Sequence, residues 1–160
     1  MEAGGHELRD ALDEFAIRRL HDAYGDVVHR RAWSELAGLF LPDAVVTVDR
    51  RDAAPLELTG PGAVGRFVGD AIARYAHFGF TVLTAHVSPR AGGDPDRATA
   101  RVHINEVRVD HEGRFSTAYG VYRDEYRRAG GRWWYARRHY ASLARGTPGE
   151  RFDVFPHPDA

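Results

Sequence analysis

The second half of the chain, from residue 78 to residue 145, consists of four long β-rich segments, and this run restricts the fold more than any other feature. The segments read FGFTVLTAHV, RATARVHINEVRVD, RFSTAYGVYRDEYRR and RWWYARRHYASLAR, and turn clusters rich in Gly, Pro and Asp separate them. Gly130 and Gly131 suit a tight hairpin, because glycine adopts positive φ without strain. The pattern predicts a large antiparallel sheet.

Helical patterns precede this sheet. Apolar residues between Ala11 and Arg31 recur at helical spacing and form one stripe centred on Tyr24. A short second helix is predicted to begin at Trp33 and a third near Pro61, with two short strands between them. Helices followed by a run of strands predict an α+β fold, in which a curved antiparallel or mixed sheet wraps around three N-terminal helices.

The 160 residues are predicted to form one domain, with enough chain to bury a core. We expect residues 1–10 to be a flexible N-terminus and residues 11–145 to be the domain. Residues 146–160 are expected to be a tail that packs over the domain, because Phe152, Val154 and Phe155 interrupt its Pro- and Gly-rich sequence.

Composition excludes several classes of protein. The content of 43% hydrophobic and 28% charged residues is that of an ordinary soluble domain, and the net charge of −1 favours neither nucleic acid nor an anionic membrane as a partner. The absence of Cys excludes disulfides, thiolate nucleophiles and sulfur-ligated metals. No apolar run approaches the length of a membrane span, and the N-terminus lacks a signal-peptide pattern, so a cytoplasmic location is expected.

The sequence also lacks the common signatures of metal and cofactor sites. Its nine His residues include no pair at the His-x-x-x-His spacing typical of metal ligands. Phosphate-binding loops, dinucleotide fingerprints and serine nucleophile elbows are absent as well. These observations predict a site that uses neither a metal nor an organic cofactor.

The order of the elements and four short stretches resemble a known family. The stretches are YGDVVHRRAW, LFLPDAVV, DRATAR and GVYRDEYRRAGGRWWY. Together they resemble the SnoaL-like group of the nuclear transport factor 2-like superfamily, which includes polyketide cyclases, scytalone dehydratase and bile-acid dehydratase. The resemblance extends from about Leu12 to Leu143. It implies a cone whose cavity lies between the helices and the concave face of the sheet.

The resemblance also implies site residues. The dehydratases of this group use a tyrosine nine residues before the tryptophan, and Tyr24 stands there relative to Trp33. They use an aspartate four residues before that tryptophan, where this chain has His29. Their histidine on the strand after the third helix aligns with Leu83, and His86 follows three residues later.

Two further polar positions of scytalone dehydratase, on later strands, align with Val102 and Tyr122. The resemblance therefore implies Tyr24, His29 and His86 as candidate catalytic residues. The candidate substrate-binding residues are Trp33, Val48, Leu83, Val102 and Tyr122.

Each candidate also has a structural interpretation. Tyr24 is buried under either hypothesis, as a cavity residue or as a core tyrosine bonded to the backbone. His29 lies 140° from Tyr24 on a continuous helix, so it reaches the cavity only if the helix ends or bends near Arg30; otherwise it is a helix-end histidine. His86 and Leu83 face opposite sides of a regular strand. Asp124 is expected to pair with an arginine.

These observations predict a small-molecule lyase, isomerase or cyclase that acts by acid–base chemistry on a hydrophobic, polyketide-like or aromatic substrate, with His29 as base and Tyr24 as hydrogen-bond donor. The alternatives are a non-catalytic small-molecule-binding protein and a structural subunit with the same fold. We also expect a closed homo-oligomer, most simply a dimer, because apolar residues such as Tyr119 and Val121 on the convex face need cover.

Overall fold

The computed structural model describes residues 2–147 and 153–154, in which helices pack against one curved mixed sheet. The α-helices are α1 (Glu2–Arg30) and α2 (Pro61–Ile72), and 3₁₀ helices span Trp33–Gly38 and Ala91–Gly93. The strands are β1 (Phe40–Val48), β2 (Leu56–Thr59), β3 (Tyr75–Pro89), β4 (Arg97–Asp110), β5 (Phe115–Ala129), β6 (Arg132–Gly146) and β7 (Asp153–Val154). This architecture confirms the predicted α+β fold.

The sheet has the strand order β2-β1-β6-β5-β4-β3, and the short β7 pairs with β6. The pairing of β1 with β6 is parallel, and the other pairings are antiparallel. Gly130 and Gly131 have φ values of 58° and 76°, so the predicted hairpin between β5 and β6 is confirmed. The sheet does not close on itself, and it curves around α1 as an open cone.

Helix α1 supplies the central part of the core. Its apolar stripe is buried as the helical spacing predicted, with Tyr24 only 5% exposed. The helix begins at Glu2, nine residues before the predicted start at Ala11. It continues to Arg30, and Arg31 then reverses the chain with a φ of 55°.

Helix α2 covers one side of the cone and is held there by Trp33. Pro61 begins the helix, where the missing N–H of proline costs no hydrogen bond. Gly65 and Gly69 face the indole, and a Cβ at Gly69 would lie 3.0 Å from the Trp33 Nε1. The two glycines therefore allow α2 to pack closely on Trp33.

Bulges in two strands determine which side chains face the interior. In β3 the pairing with β4 shifts between Val82 and Thr84, which leaves Leu83 unpaired. In β6 the pairing with β5 shifts between Tyr135 and Arg137, which leaves Ala136 unpaired. A single unpaired residue reverses the alternation of side chains beyond it.

The tail predicted for residues 146–160 is described only at residues 146–147 and 153–154. In β7, Asp153 and Val154 pair with Arg145 and Ala144 of β6. Phe152 and Phe155 lie outside the described residues. No helix in the described part of the chain has the length and apolar character to span a membrane.

Candidate active site

A cavity of about 350 Å³ lies between α1, α2 and the concave face of the sheet. Its wall is mainly apolar and aromatic, with contributions from Val46, Val48, Val64, Phe67, Phe78 and Phe80. Such a volume suits a small organic molecule of one or two rings. The polar side chains that reach this cavity therefore define the candidate site.

Tyr24 and Tyr122 bring phenol groups into the cavity from α1 and β5. Burial raises the pKa of the Tyr24 hydroxyl, although Arg138 and a hydrogen bond with Tyr122 oppose the increase. Burial also raises the pKa of Tyr122 well above its usual value. Both phenols are protonated near neutral pH, so each has an O–H group that can donate a hydrogen bond.

Arg138 and Asp124 form a fully buried ion pair beside these phenols. The Arg138 Nε donates to Asp124 Oδ1 and Nη2 donates to Oδ2, each at 2.8 Å, and neither side chain is more than 2% exposed. The guanidinium lies 4.6 Å from the Tyr24 ring centre and 3.9 Å from that of Tyr122. Although burial opposes the charged form, Asp124 raises the pKa of Arg138 well above its usual value. The pairing predicted for Asp124 is confirmed.

The ion pair is supported by a chain of hydrogen bonds toward α1. The Tyr126 hydroxyl donates to Asp124 Oδ2 at 2.9 Å, and the His21 Nε2 lies 2.7 Å from that hydroxyl. Burial, followed by the Arg138 charge, lowers the pKa of His21 to about 4. His21 is therefore neutral at pH 7 and can donate from Nε2 to the Tyr126 oxygen. The chain holds the Asp124 carboxylate, and with it Arg138, in one orientation.

One end of the Arg138 guanidinium remains available for a ligand. Within the described residues, its buried Nη1 has no hydrogen-bond partner. Burial raises the pKa of the Tyr135 hydroxyl, and Arg138, which lies beside it, opposes the increase. Since Arg138 lines the cavity, Nη1 can donate to a polar atom of a bound molecule.

Glu106 is the one carboxylate among the residues described that line this cavity. Arg108 binds its Oε2 through Nε at 3.1 Å and through Nη2, whereas Oε1 receives no hydrogen bond from the described residues. The Glu106 charge contributes to raising the pKa values of Tyr24, Tyr122 and Tyr140, so the carboxylate lies near all three phenols. The side chain is 12% exposed, which leaves it accessible from the cavity.

His29 does not share this cavity with Tyr24, contrary to the prediction. Its Nδ1 lies 2.9 Å from the Gly25 carbonyl oxygen, and the Phe80 N–H donates to Nε2 at 3.0 Å. Because Nε2 accepts, Nδ1 carries the proton and the ring is neutral in this arrangement. Helix α1 continues through Arg30, so His29 stays off the buried face and joins α1 to β3.

The two β3 candidates also lie outside the cavity. Leu83 is 50% exposed, and His86 is exposed on the convex face. Alternation from the buried Phe80 already directs Leu83 outward, and the bulge at Leu83 reverses the alternation beyond it, so that Thr84 and His86 also point away from the interior. Leu83, the residue that aligns with the family histidine, therefore does not occupy a position in the cavity.

The remaining predicted wall residues divide into two groups. Val48 and Tyr122 line the cavity. Val102 is fully buried in the core outside the cavity lining, and Trp33 packs behind α2. The polar lining residues that were not predicted are Arg50, Arg74, Tyr75, Glu106, Arg108, Arg138, Tyr140 and Arg145.

Tyr140 packs directly against Gly120 of the neighbouring strand. A Cβ at Gly120 would overlap the Tyr140 ring, so the glycine permits a close approach between β5 and β6. Burial and the Glu106 charge raise the pKa of Tyr140. Gly120 thus makes room for a third protonated phenol in the cavity wall.

The described residues contain no group of three or more His, Asp or Glu side chains arranged to hold a metal ion. The site consists of protonated phenols, a buried arginine and a carboxylate with one open oxygen. Groups of these types can exchange protons with a bound molecule and donate hydrogen bonds to it.

The fold and cavity define a cone-shaped α+β protein that can enclose a small molecule. The model of the SnoaL-like domain matches residues 9–139, and the chain belongs to this family within the nuclear transport factor 2-like superfamily. No curated protein matches the sequence.

Solved structures share this fold at low sequence identity. A putative scytalone dehydratase from Novosphingobium aromaticivorans is 18% identical, with a TM-score of 0.75 over 94% of this chain and 96% of that one. A hexachlorocyclohexane dehydrochlorinase from Novosphingobium barchaimii is 18% identical, with a TM-score of 0.77 over 94% and 99% of the two chains. An NTF2-like protein from N. aromaticivorans is 24% identical, with a TM-score of 0.69 over 88% and 87%.

Proposed function

We propose that this protein is a small-molecule lyase, isomerase or cyclase that removes a proton from a carbon next to a carbonyl group, without a metal or organic cofactor. The substrate is hydrophobic and aromatic or polyketide-like. The observation that carries this proposal is the composition of one cavity. An open carboxylate oxygen of Glu106 shares that cavity with the phenols of Tyr24 and Tyr122 and with the free Nη1 of Arg138.

Glu106 is the base in this proposal. Its Oε1 takes the proton, and the electrons of the broken C–H bond move to the carbonyl oxygen to form an enolate. Arg108 binds Oε2 and orients the carboxylate so that Oε1 remains open to the cavity. The aromatic and aliphatic wall excludes water from the reacting carbon and strengthens electrostatic interactions there.

Arg138, Tyr24 and Tyr122 stabilise the enolate oxygen. Protonated phenols and a guanidinium N–H are donors to a developing oxyanion, and the buried ion pair fixes their orientation before substrate binds. The enolate then expels a β-leaving group, takes a proton at another carbon, or attacks a second carbonyl. These outcomes are elimination, isomerisation and cyclisation.

The neighbouring structures support the choice of reaction class. A dehydratase and a dehydrochlorinase both remove a proton and a leaving group from a small molecule, and both names occur among proteins with this fold. A structural subunit would need no cavity, and the 350 Å³ space argues against that alternative. A simple binding protein would need no open carboxylate in an apolar wall, where an ionised group is costly.

Proton abstraction can be tested with a neutral bicyclic ketone, 2-tetralone. In deuterated buffer at pH 7, the protein is expected to accelerate exchange of the protons next to the carbonyl above the buffer rate. Proton NMR measures this exchange without knowledge of the natural substrate. An exchange rate equal to that in buffer, with the ketone shown to bind, would contradict the proposal.

Replacing Tyr24 with Phe is expected to lower this exchange rate by about 100-fold, the effect of losing one oxyanion donor. The ring remains, so thermal stability should change little. His29→Ala is the matched control on the same helix. It loses two backbone hydrogen bonds and should cost about 1 kcal/mol of stability with exchange retained. Equal exchange rates in both variants would show that the Tyr24 hydroxyl has no catalytic role.

We also propose that the protein forms a homodimer through the convex face of the sheet. Leu83, Phe115 and Tyr119 are 50%, 40% and 39% exposed, whereas Val121 is already covered. Light scattering is expected to give about twice the chain mass of 17.9 kDa, and a Leu83→Glu, Tyr119→Glu variant should give the monomer mass. A wild-type mass of one chain at micromolar concentration would contradict this prediction.

A further inference from the structure

We propose that the substrate of this cavity carries an oxyanion, such as a carboxylate, which binds to arginines at the cavity mouth. The inference rests on the proposed function, because it describes the molecule on which the same site acts. Its basis is the charge of the residues at one end of the cavity.

Besides Arg138, four arginines from separate parts of the chain line the cavity. Arg50 follows β1, Arg74 follows α2, Arg108 lies near the end of β4, and Arg145 lies near the end of β6. Strand pairing places the C-terminal ends of β1, β4 and β6 at one end of the cone, beside the start of β3. The arginines therefore gather at this end, which is the mouth of the cavity because Arg50 and Arg74 are exposed there, whereas Arg138 is buried in the interior.

Two of these guanidinium groups approach the same aromatic ring. The Arg74 Cζ lies 5.0 Å from the Tyr75 ring centre, and the Arg108 Cζ lies 5.8 Å from it. Arg108 and Arg145 also both act electrostatically on the Tyr140 phenol. Like charges held this close repel each other unless negative groups lie between or beside them.

Among the residues that the structure describes, the carboxylates near these arginines do not balance their charge. Glu106 pairs with Arg108, and Asp52, itself exposed, lies 3.4 Å from Arg145. Arg50 donates to the Ala54 carbonyl oxygen at 2.8 Å, and a carbonyl carries no net charge. Neither Arg50 nor Arg74 has an ion-pair partner in the part of the chain that the structure describes.

The mouth thus has surplus positive charge, and the interior has an apolar wall. A substrate with an apolar ring system and one anionic substituent would place the rings inside and the anion at the arginines. Guanidinium groups bind planar oxyanions through paired N–H donors, which fixes the orientation of the bound molecule. This orientation would present one edge of the ring system to Glu106.

Two fluorescent probes distinguish the contribution of an anionic group to binding from that of the aromatic rings. They are 1-anilinonaphthalene-8-sulfonate and N-phenyl-1-naphthylamine, which share one aromatic framework and differ in the sulfonate. The sulfonate probe is expected to bind wild type, and the double variant Arg50→Gln, Arg74→Gln should weaken it by about tenfold. Added NaCl should weaken it as well. The neutral probe should bind both proteins equally, and Arg97→Gln, at the opposite end of β4, is the control.

A cavity-filling variant, Val68→Trp, shows whether the probes occupy the cavity, and its circular dichroism spectrum shows whether it is folded. Weaker binding of both probes to the folded variant supports the cavity as their site. If the arginine variant binds the sulfonate probe as well as wild type does, the anion site is wrong, although the cavity remains a hydrophobic site. If Val68→Trp weakens the binding of neither probe, the cavity is not their binding site and the proposed function fails as well.

Discussion

Replacing Asp124 with Ala is expected to destabilise the fold by about 3–5 kcal/mol, because the Arg138 charge then stays buried without a partner. Both side chains are at most 2% exposed, so water cannot replace the lost carboxylate. Tyr126 also loses the acceptor of its hydroxyl, which adds an unsatisfied buried donor. Urea denaturation followed by circular dichroism measures the free energy of unfolding.

The matched control for this variant is Asp43→Ala. Asp43 binds Arg127 at 2.9 Å, but these side chains are 70% and 47% exposed. An exposed pair contributes about 0–1 kcal/mol, so the control should unfold near the wild-type urea concentration. The double variant Asp124→Ala, Arg138→Met removes both charges and should recover part of the loss. Equal midpoints for Asp124→Ala and Asp43→Ala would show that the buried pair is not important for stability.

Replacing Glu106 with Gln is expected to lower the exchange rate of 2-tetralone by at least 100-fold, with little change in stability. The amide has the shape of the carboxylate, and its oxygen can still accept from Arg108. It cannot take a proton from carbon at neutral pH. The loss would therefore appear in the chemical step and leave binding of the neutral naphthylamine probe unchanged.

Glu125→Gln is the control, since Glu125 lies on the neighbouring strand β5 with its side chain 51% exposed. Its exchange rate should equal that of wild type. If Glu106→Gln keeps its activity within a few-fold, Glu106 is not the base. Proton abstraction by another group would then have to be considered for this cavity.

The overall fold was predictable because its signals are periodic. The stripe of α1 and the turn clusters between strands follow from spacing alone, and the structure agrees with both. The start of α1 was not predictable in this way. Leu8 and Leu12 are 64% and 59% exposed, so the first turns of the helix lie outside the core and show no buried stripe.

The site was less predictable, because bulges change the alternation of side chains. From the buried Tyr135, strict alternation directs Arg137 inward and Arg138 outward. The unpaired Ala136 reverses this order, and Arg138 becomes the central charge of the cavity. The bulge at Leu83 has the opposite effect in β3, because it directs His86 outward, to the same side as Leu83.

His29 shows the limit of residue spacing as a guide to chemistry. The spacing to Trp33 is that of the family aspartate, yet both ring nitrogens bind backbone groups of Gly25 and Phe80. Sequence spacing specifies a position on a helix, and hydrogen-bond partners specify what the side chain can do there. The carboxylate in this cavity is that of Glu106 on β4, and the alignment with the tyrosine and aspartate of the family dehydratases did not identify it.

The bulge at Ala136 also affects how this scaffold can change during evolution. If Ala136 paired with Glu125 in place of Arg137, the part of β6 beyond it would shift by one residue against β5, and Arg138 and Tyr140 would exchange faces with Arg137 and His139. The cavity would exchange the Arg138 guanidinium for that of Arg137 and the Tyr140 phenol for the His139 imidazole, with no substitution at any of those positions. The presence or absence of a bulge is therefore a route to new cavity chemistry that alignments of identical columns do not detect.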